Sequence, residues 1–161
     1  MTEYTNSAIT IETLPAMRVA CLRVVSRTPE DDGNVLIDRW VASQHIPGPI
    51  REFGFDTDVT AEEAKNGLRG YEMWRTVPDH IVQSDGVRIQ DFPGGLYMVM
   101  TLDHCFEEPF TRIPESWMRL HDWVIHHEKY QSASHQWLEE LLHVDYGRTL
   151  KLYHPVMPVP G

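Results

Sequence analysis

The chain has 161 residues, 42% hydrophobic and 24% charged, a length and balance that fit one globular domain with a sizeable core and exclude a disordered or fibrous chain. Lys and Arg number 14 against 24 Asp and Glu, a formal net charge of −10, which repels phosphate backbones and argues against nucleic-acid binding by this chain alone, while leaving a neutral or cationic ligand open. No apolar run approaches the ~18 residues needed to span a bilayer, and the opening MTEYTNSAIT lacks the basic and apolar regions of a signal peptide, so the expectation is a cytoplasmic protein without membrane association.

Residues 9–22, ITIETLPAMRVACL, read as a strand, a turn at Pro15 and a second strand. Thr28-Pro29-Glu30-Asp31 opens a helix, with a Thr cap, Pro in the first turn and acids after it, and the helix carries Leu36, Trp40 and Val41 on its apolar face. IREFGF (50–55) and YEMWRTV (71–77) are strand candidates, and the polar TDVTAEEAKNGLRG between them reads as a surface loop with one helical turn. The pattern then repeats. VRIQDFPGGLYMVM (87–100) aligns with 9–22 without gaps: Ile9 meets Val87, Ile11 meets Ile89, Leu14 meets Phe92 and Pro15 meets Pro93. Pro114-Glu115 opens a second helix carrying Trp117, Leu120, Trp123 and Val124, and the pair WV recurs at 40–41 and 123–124. HQWLEELL (135–142) and RTLKLYHPV (148–156) supply the last two strands. One domain over 1–161 is expected, with repeat halves about 7–78 and 85–157, each strand–strand–helix–strand–strand. The fold class is α+β with pseudo-two-fold symmetry, and a cleft between the halves is the expected ligand site.

Two cysteines, Cys21 and Cys105, are too few for a disulfide scaffold or zinc ribbon and read as buried thiols. His121, His126, His127 and Glu128 do not stack on one helical face, and HExxH, GxSxG, P-loop and GxGxxG patterns are absent, so neither a metal nor a cofactor is expected. Gly94-Gly95 after Pro93 reads as turn chemistry.

The chemistry to explain is a pair of glutamates in an apolar strand. Alternation puts Trp137, Glu139 and Leu141 on one face of HQWLEELL and Leu138, Glu140 and Leu142 on the other, without choosing which face is the inner one. In YEMWRTV, Glu72 shares a face with Trp74, while Tyr71 and Met73 take the other. A carboxylate beside an indole suits a cationic or aromatic guest, and its desolvation suits a general base equally. The plainer readings are an exposed edge residue for Glu139 and an ion pair with Arg69 or Arg75 for Glu72. Trp74, Trp137, Tyr71 and Tyr97 lie on strands and can line a cleft; Trp40, Trp117 and Trp123 read as helix-to-sheet core. His135 is either a hydrogen-bonding neighbour of the site strand or a solvated loop residue.

The stretches TLPAMRVACLRV (13–24), DFPGGLYMVM (91–100), IPESWMRLHDWV (113–124), HQWLEELL and LKLYHPV (150–156) make the chain resemble the GyrI-like small-molecule-binding domain, the effector-binding domain found alone or in AraC-type and MerR-type transcription regulators. The resemblance implies a duplicated strand–helix–strand–strand fold, an antiparallel curved sheet with helices on one side, and a concave cleft that takes hydrophobic, often cationic compounds beside a buried glutamate. By motif position that glutamate falls on Glu139, making the Trp137 face the inner one and Glu140 the outer. The expected ligand-binding set is Glu139, Trp137, Trp74, Glu72, Tyr97, Tyr71 and Leu141. Leu141 stands where the family often has tyrosine, and Gln136-Trp137 where it often has proline, so ligand preference does not carry over. With the first repeat starting at residue 9, no helix-turn-helix is expected ahead of it. The leading expectation is a stand-alone multidrug-type binder. The alternatives are a hydrolase of reactive cyclopropane-bearing genotoxic compounds with Glu139 as general base, and a protein-interaction module such as a gyrase inhibitor.

Overall fold

The structure, a computed structural model, describes residues 9–103, 106–144 and 147–161; the expected buried thiol at Cys105 lies outside them. In chain order the elements are β1 (Thr10–Leu14), β2 (Met17–Ser26), α1 (Pro29–Ser43), β3 (Glu52–Thr57), α2 (Ala61–Lys65), β4 (Arg69–Thr76), β5 (Arg88–Phe92), β6 (Gly95–Leu102), α3 (Pro109–Ile125), β7 (Tyr130–Ser132), β8 (Leu138–Val144) and β9 (Gly147–Pro158). The fold is α+β, and the strands pair antiparallel.

The chain forms two compact units, one of Ala16–Pro93 and one of the segment ending at Pro15 together with Gly94–Gly161. In the first, the strand order is β3-β4-β2-β5; in the second it is β8-β9-β6-β1, with β7 added along the end of β9. The two orders correspond strand for strand, as the internal repeat requires. The edge strand of each unit comes from the other half of the sequence: β1 pairs with β6, setting Thr10 opposite Val99, and β5 pairs with β2, setting Phe92 opposite Met17. The chain therefore leaves one unit for the other at Pro15 and again at Pro93. Strands consecutive in sequence pair often but not always, and a gapless repeat carries no mark of which copy a strand will join.

Each unit buries one sheet face under a helix. In the first, Ala20, Trp40, Val77, Ile81 and Val87 form a core cluster. α1 starts on Pro29, with Glu30, Asp31 and Asp32 complementing its N-terminal dipole. The helix turns Gly33, Ile37 and Trp40 inward and leaves Leu36, expected inside, exposed. Gly33 permits that approach, since a Cβ there would lie 2.1 Å from Met73 Cε. Arg75, itself buried, reaches from β4 to Asn34 and Asp38 of α1 and to Glu52 of β3, fastening helix to sheet. The polar stretch expected to hold one helical turn holds α2, closed by a reciprocal capping box between Thr60 and Glu63.

In the second unit Met98, Met100, Leu102, Leu120, Val124, Leu150, Leu152 and Val156 form the core. Here α3 begins at Pro109, earlier than expected, and Pro114 lies inside it. Pro109 takes the first-turn place where the missing N–H costs nothing. Trp123, expected in the core, is exposed: Leu120 and Val124, four apart, define the buried stripe, and Trp123 falls beside it. No helix among the described residues is long and apolar enough to cross a membrane.

Candidate functional site

Residues directly opposed in an antiparallel ladder share a face, and that rule fixes where every candidate points. Leu152, on the α3 side of β9, stands opposite Glu139, whereas Lys151 stands opposite Glu140 and Tyr153 opposite Leu138. Glu139 and Leu141 therefore lie on the face that α3 covers. Glu140, Leu138 and Tyr153 lie on the helix-free face, as does Tyr97, which stands opposite Pro155. The face that the family motif marks as the inner one is thus the face that α3 covers. Glu140 is 2% exposed and accepts a hydrogen bond from the Tyr153 hydroxyl at 2.6 Å; Glu139 is only half-buried and accepts from Trp117 Nε1 at 3.1 Å. Trp137 falls just before β8, exposed, and packs on Trp117 and on His154 rather than near Tyr97. His154 is fully buried and hydrogen-bonded through Nε2 to His121 Nδ1 at 2.9 Å.

Around Glu140 the helix-free face is built from rings. Tyr97 and Tyr153 are both 0% exposed and meet edge to face with centroids 5.5 Å apart. The Tyr97 hydroxyl donates to the Gln136 carbonyl at 2.6 Å, anchoring the entry to β8, and burial holds its phenol well above the ordinary range. His135 packs against the Tyr97 ring, and its Nε2–H donates to the Leu96 carbonyl, which makes it a hydrogen-bonded support and not a solvated loop residue. Lys151, although opposite Glu140 in the register, reaches Glu12 on β1 at 2.9 Å.

The first unit has its own arrangement on the corresponding face. Cys21 stands opposite both Trp74 and Arg88, and Glu72 opposite Phe55. Glu72, 8% exposed, accepts from Trp74 Nε1 at 2.8 Å through one oxygen and from Arg88 Nη2 at 3.0 Å through the other. Phe55 and Phe92 flank the Trp74 ring, each with centroids 5.3 Å away. The ion-pair partner of Glu72 is therefore Arg88, neither Arg69 nor Arg75; those go to Glu30 and to Asp38 and Glu52. Burial pushes the Cys21 thiol up to about 12, with the Glu72 charge adding to that and Arg88 opposing it, so the thiol stays protonated and is no nucleophile.

Of the seven residues expected to bind ligand, Glu72 and Trp74 come together in the first unit, and Tyr97 joins the helix-free face of the second. Tyr71 turns to the α1 side, where its ring closes over Gly54, and Glu139, Trp137 and Leu141 lie on the α3 side. Glu140, Tyr153 and Arg88, which the structure adds to these groupings, lay outside the expected set. A signal for the first two was present: Leu150, Leu152 and Val156 alternate with Lys151 and Tyr153, and pairing that strand with HQWLEELL as a hairpin opposes Glu139 to a leucine. Among the described residues no three His, Cys, Asp or Glu side chains gather as a metal-binding group. A groove along the end of α3, lined by Ile11, Trp123, Tyr130 and charged side chains, includes none of the expected site residues.

No curated protein sequence matches the chain. Among solved structures, the C-terminal domain of EcmrR is similar over 95% of this chain and 99% of its own, at 14% identity and TM-score 0.73. An EcmrR–DNA complex is similar at 13% identity and TM-score 0.75, covering 98% of this chain. This chain spans 60% of the length of EcmrR in that complex. SAV2435, solved with tetraphenylphosphonium bound, is similar over 93% of this chain and 94% of its own, at 10% identity and TM-score 0.52. These likenesses establish the fold and agree with the GyrI-like resemblance. Residues 10–156 match the family described as integron-associated effector binding protein, Cass2. The match runs from the start of β1 into β9, and the chain belongs to that family.

Proposed function

We propose that the chain captures apolar organic cations on the helix-free face of its second unit, with Glu140 supplying the charge and Tyr97 and Tyr153 the aromatic surface. The observation that carries this reading is the Tyr153–Glu140 hydrogen bond, a carboxylate held out of water beside phenol rings on a sheet face that no helix among the described residues of its unit covers. A carboxylate withdrawn from water attracts a guest of opposite charge more strongly than an exposed one does. The phenol fixes the carboxylate in place without adding a charge, and ring faces attract a cation through their quadrupole. The Lys151 ammonium, bonded to Glu12, lies 5.4 Å from the Tyr153 ring centroid and shows that this ring accepts a cation. Tyr97 and Tyr153 are fully buried, so a guest contacts them only in a state that opens this face, which the ligand selects. The family's effector-binding description supports a small-molecule guest, and the tetraphenylphosphonium bound to SAV2435 supports a cationic one.

Charge recognition is tested by two probes of matched size and opposite sign. Titration calorimetry with tetraphenylphosphonium and with tetraphenylborate should show saturable binding of the cation and none of the anion. Equal affinity for both would leave only apolar contact and would refute a role for Glu140.

A further inference from the structure

We infer that the first unit carries a second cation site, and that Arg88 is its built-in occupant. Arg88 sits on β5 at the sheet edge, and β2 lies between it and β4. Its side chain therefore crosses above Cys21 to set its guanidinium on Glu72. The pair is unequal: the Arg88 side chain is 55% exposed and that of Glu72 11%. Arg75, in contrast, is buried and held by Asn34, Asp38 and Glu52 at once. Arg88 engages Glu72 through Nη2 alone, one of the five N–H donors a guanidinium offers. An arginine so held is easily displaced, and it marks what the site accepts. The carboxylate is pre-oriented by Trp74 Nε1, and Phe55 and Phe92 brace the indole. The guest that fits is a flat, delocalised cation with N–H donors, an amidinium or guanidinium head on an apolar body. Tetraphenylphosphonium has no such donors, so the two units differ in the class of cation they take. This inference deepens the reading of the chain as a binder of organic cations, but its test is separate from that of Glu140.

An occupant that holds the carboxylate about nine-tenths of the time lowers a guest's apparent affinity about tenfold. Benzamidinium is the probe. Arg88→Ala should bind it about tenfold more tightly than the wild type, and adding Glu72→Gln to Arg88→Ala should abolish the gain. Thermal melts provide a second reading, because benzamidinium should raise the melting temperature of Arg88→Ala more than that of the wild type. If Arg88→Ala does not fold, Arg88→Gln, which keeps the polar edge, takes its place in both measurements. Equal benzamidinium affinity in wild type and variant, or a gain that survives Glu72→Gln, would overturn the inference. A failure to prefer tetraphenylphosphonium over tetraphenylborate would overturn the reading of Glu140 instead.

Discussion

Replacing Glu140 by Gln removes its charge. The amide has the carboxylate's shape and its oxygen can still accept the Tyr153 hydroxyl, so the fold should persist. Glu140 is 2% exposed, so a protein-like effective dielectric of about 20 applies in place of that of water. A phosphonium centre kept about 6 Å from the carboxylate by its own phenyl rings is then attracted by about 2.8 kcal/mol, or about a hundredfold in Kd. Desolvating the guest takes back part of this, so the expected loss is about 10- to 100-fold. Glu139→Gln is the matched control one residue away on the α3 side. It weakens the Trp117 hydrogen bond, costs about 1 kcal/mol of stability and should change the affinity by less than about twofold. Calorimetric titration with tetraphenylphosphonium, with melts by circular dichroism to confirm folding, measures both. Glu140→Gln within twofold of wild type, or the larger loss in Glu139→Gln, would refute the assignment of faces.

Three further expectations concern the scaffold. Leu120, fully buried in the second unit's core, should cost about 2–5 kcal/mol as Leu120→Ala, read from urea unfolding. At Gly54 an added Cβ would lie 2.2 Å from the Tyr71 hydroxyl and 2.5 Å from ring carbons; Gly54→Ala should destabilise by about 1–3 kcal/mol and shift the tyrosine signals in NMR spectra. His154 is held below the ordinary histidine range by burial, partly countered by its hydrogen bond to the Pro155 carbonyl, with the neighbouring His121 charge adding to the depression. The unfolded chain then takes up its proton first as pH falls below about 6.5, so stability is full above that value and declines beneath it. Urea midpoints between pH 7.5 and 5.5 should fall with pH, and His154→Gln should flatten the decline; an unchanged slope would show that His154 is not its source.

The repeat was legible because it is written in side chains that pattern the elements: the prolines at 15 and 93, the WV pairs, the apolar strands. What it could not reveal was which copy each first strand would join, because Ile9–Leu14 and Val87–Phe92 fit either edge equally well in apolar pattern. The site was half legible for a related reason. Glu72 and Trp74, two apart on one strand, share a face by alternation alone, and the structure joins them by a hydrogen bond. Choosing between Glu139 and Glu140 needs the register of β8 against β9, a one-residue matter that inverts the whole strand. A motif alignment through LEEL is uncertain by that same one residue. Arg88 was invisible because its contact spans two strands and 16 positions of sequence.

The most direct test of cation capture beside Glu140 is a crystal structure of the chain with tetraphenylphosphonium. The account requires the phosphorus on the helix-free face, about 5–7 Å from the Glu140 carboxylate, with phenyl groups against Tyr97 and Tyr153. Density for the cation beside Glu139 and Trp137 on the α3 side, with Glu140 untouched, would contradict it.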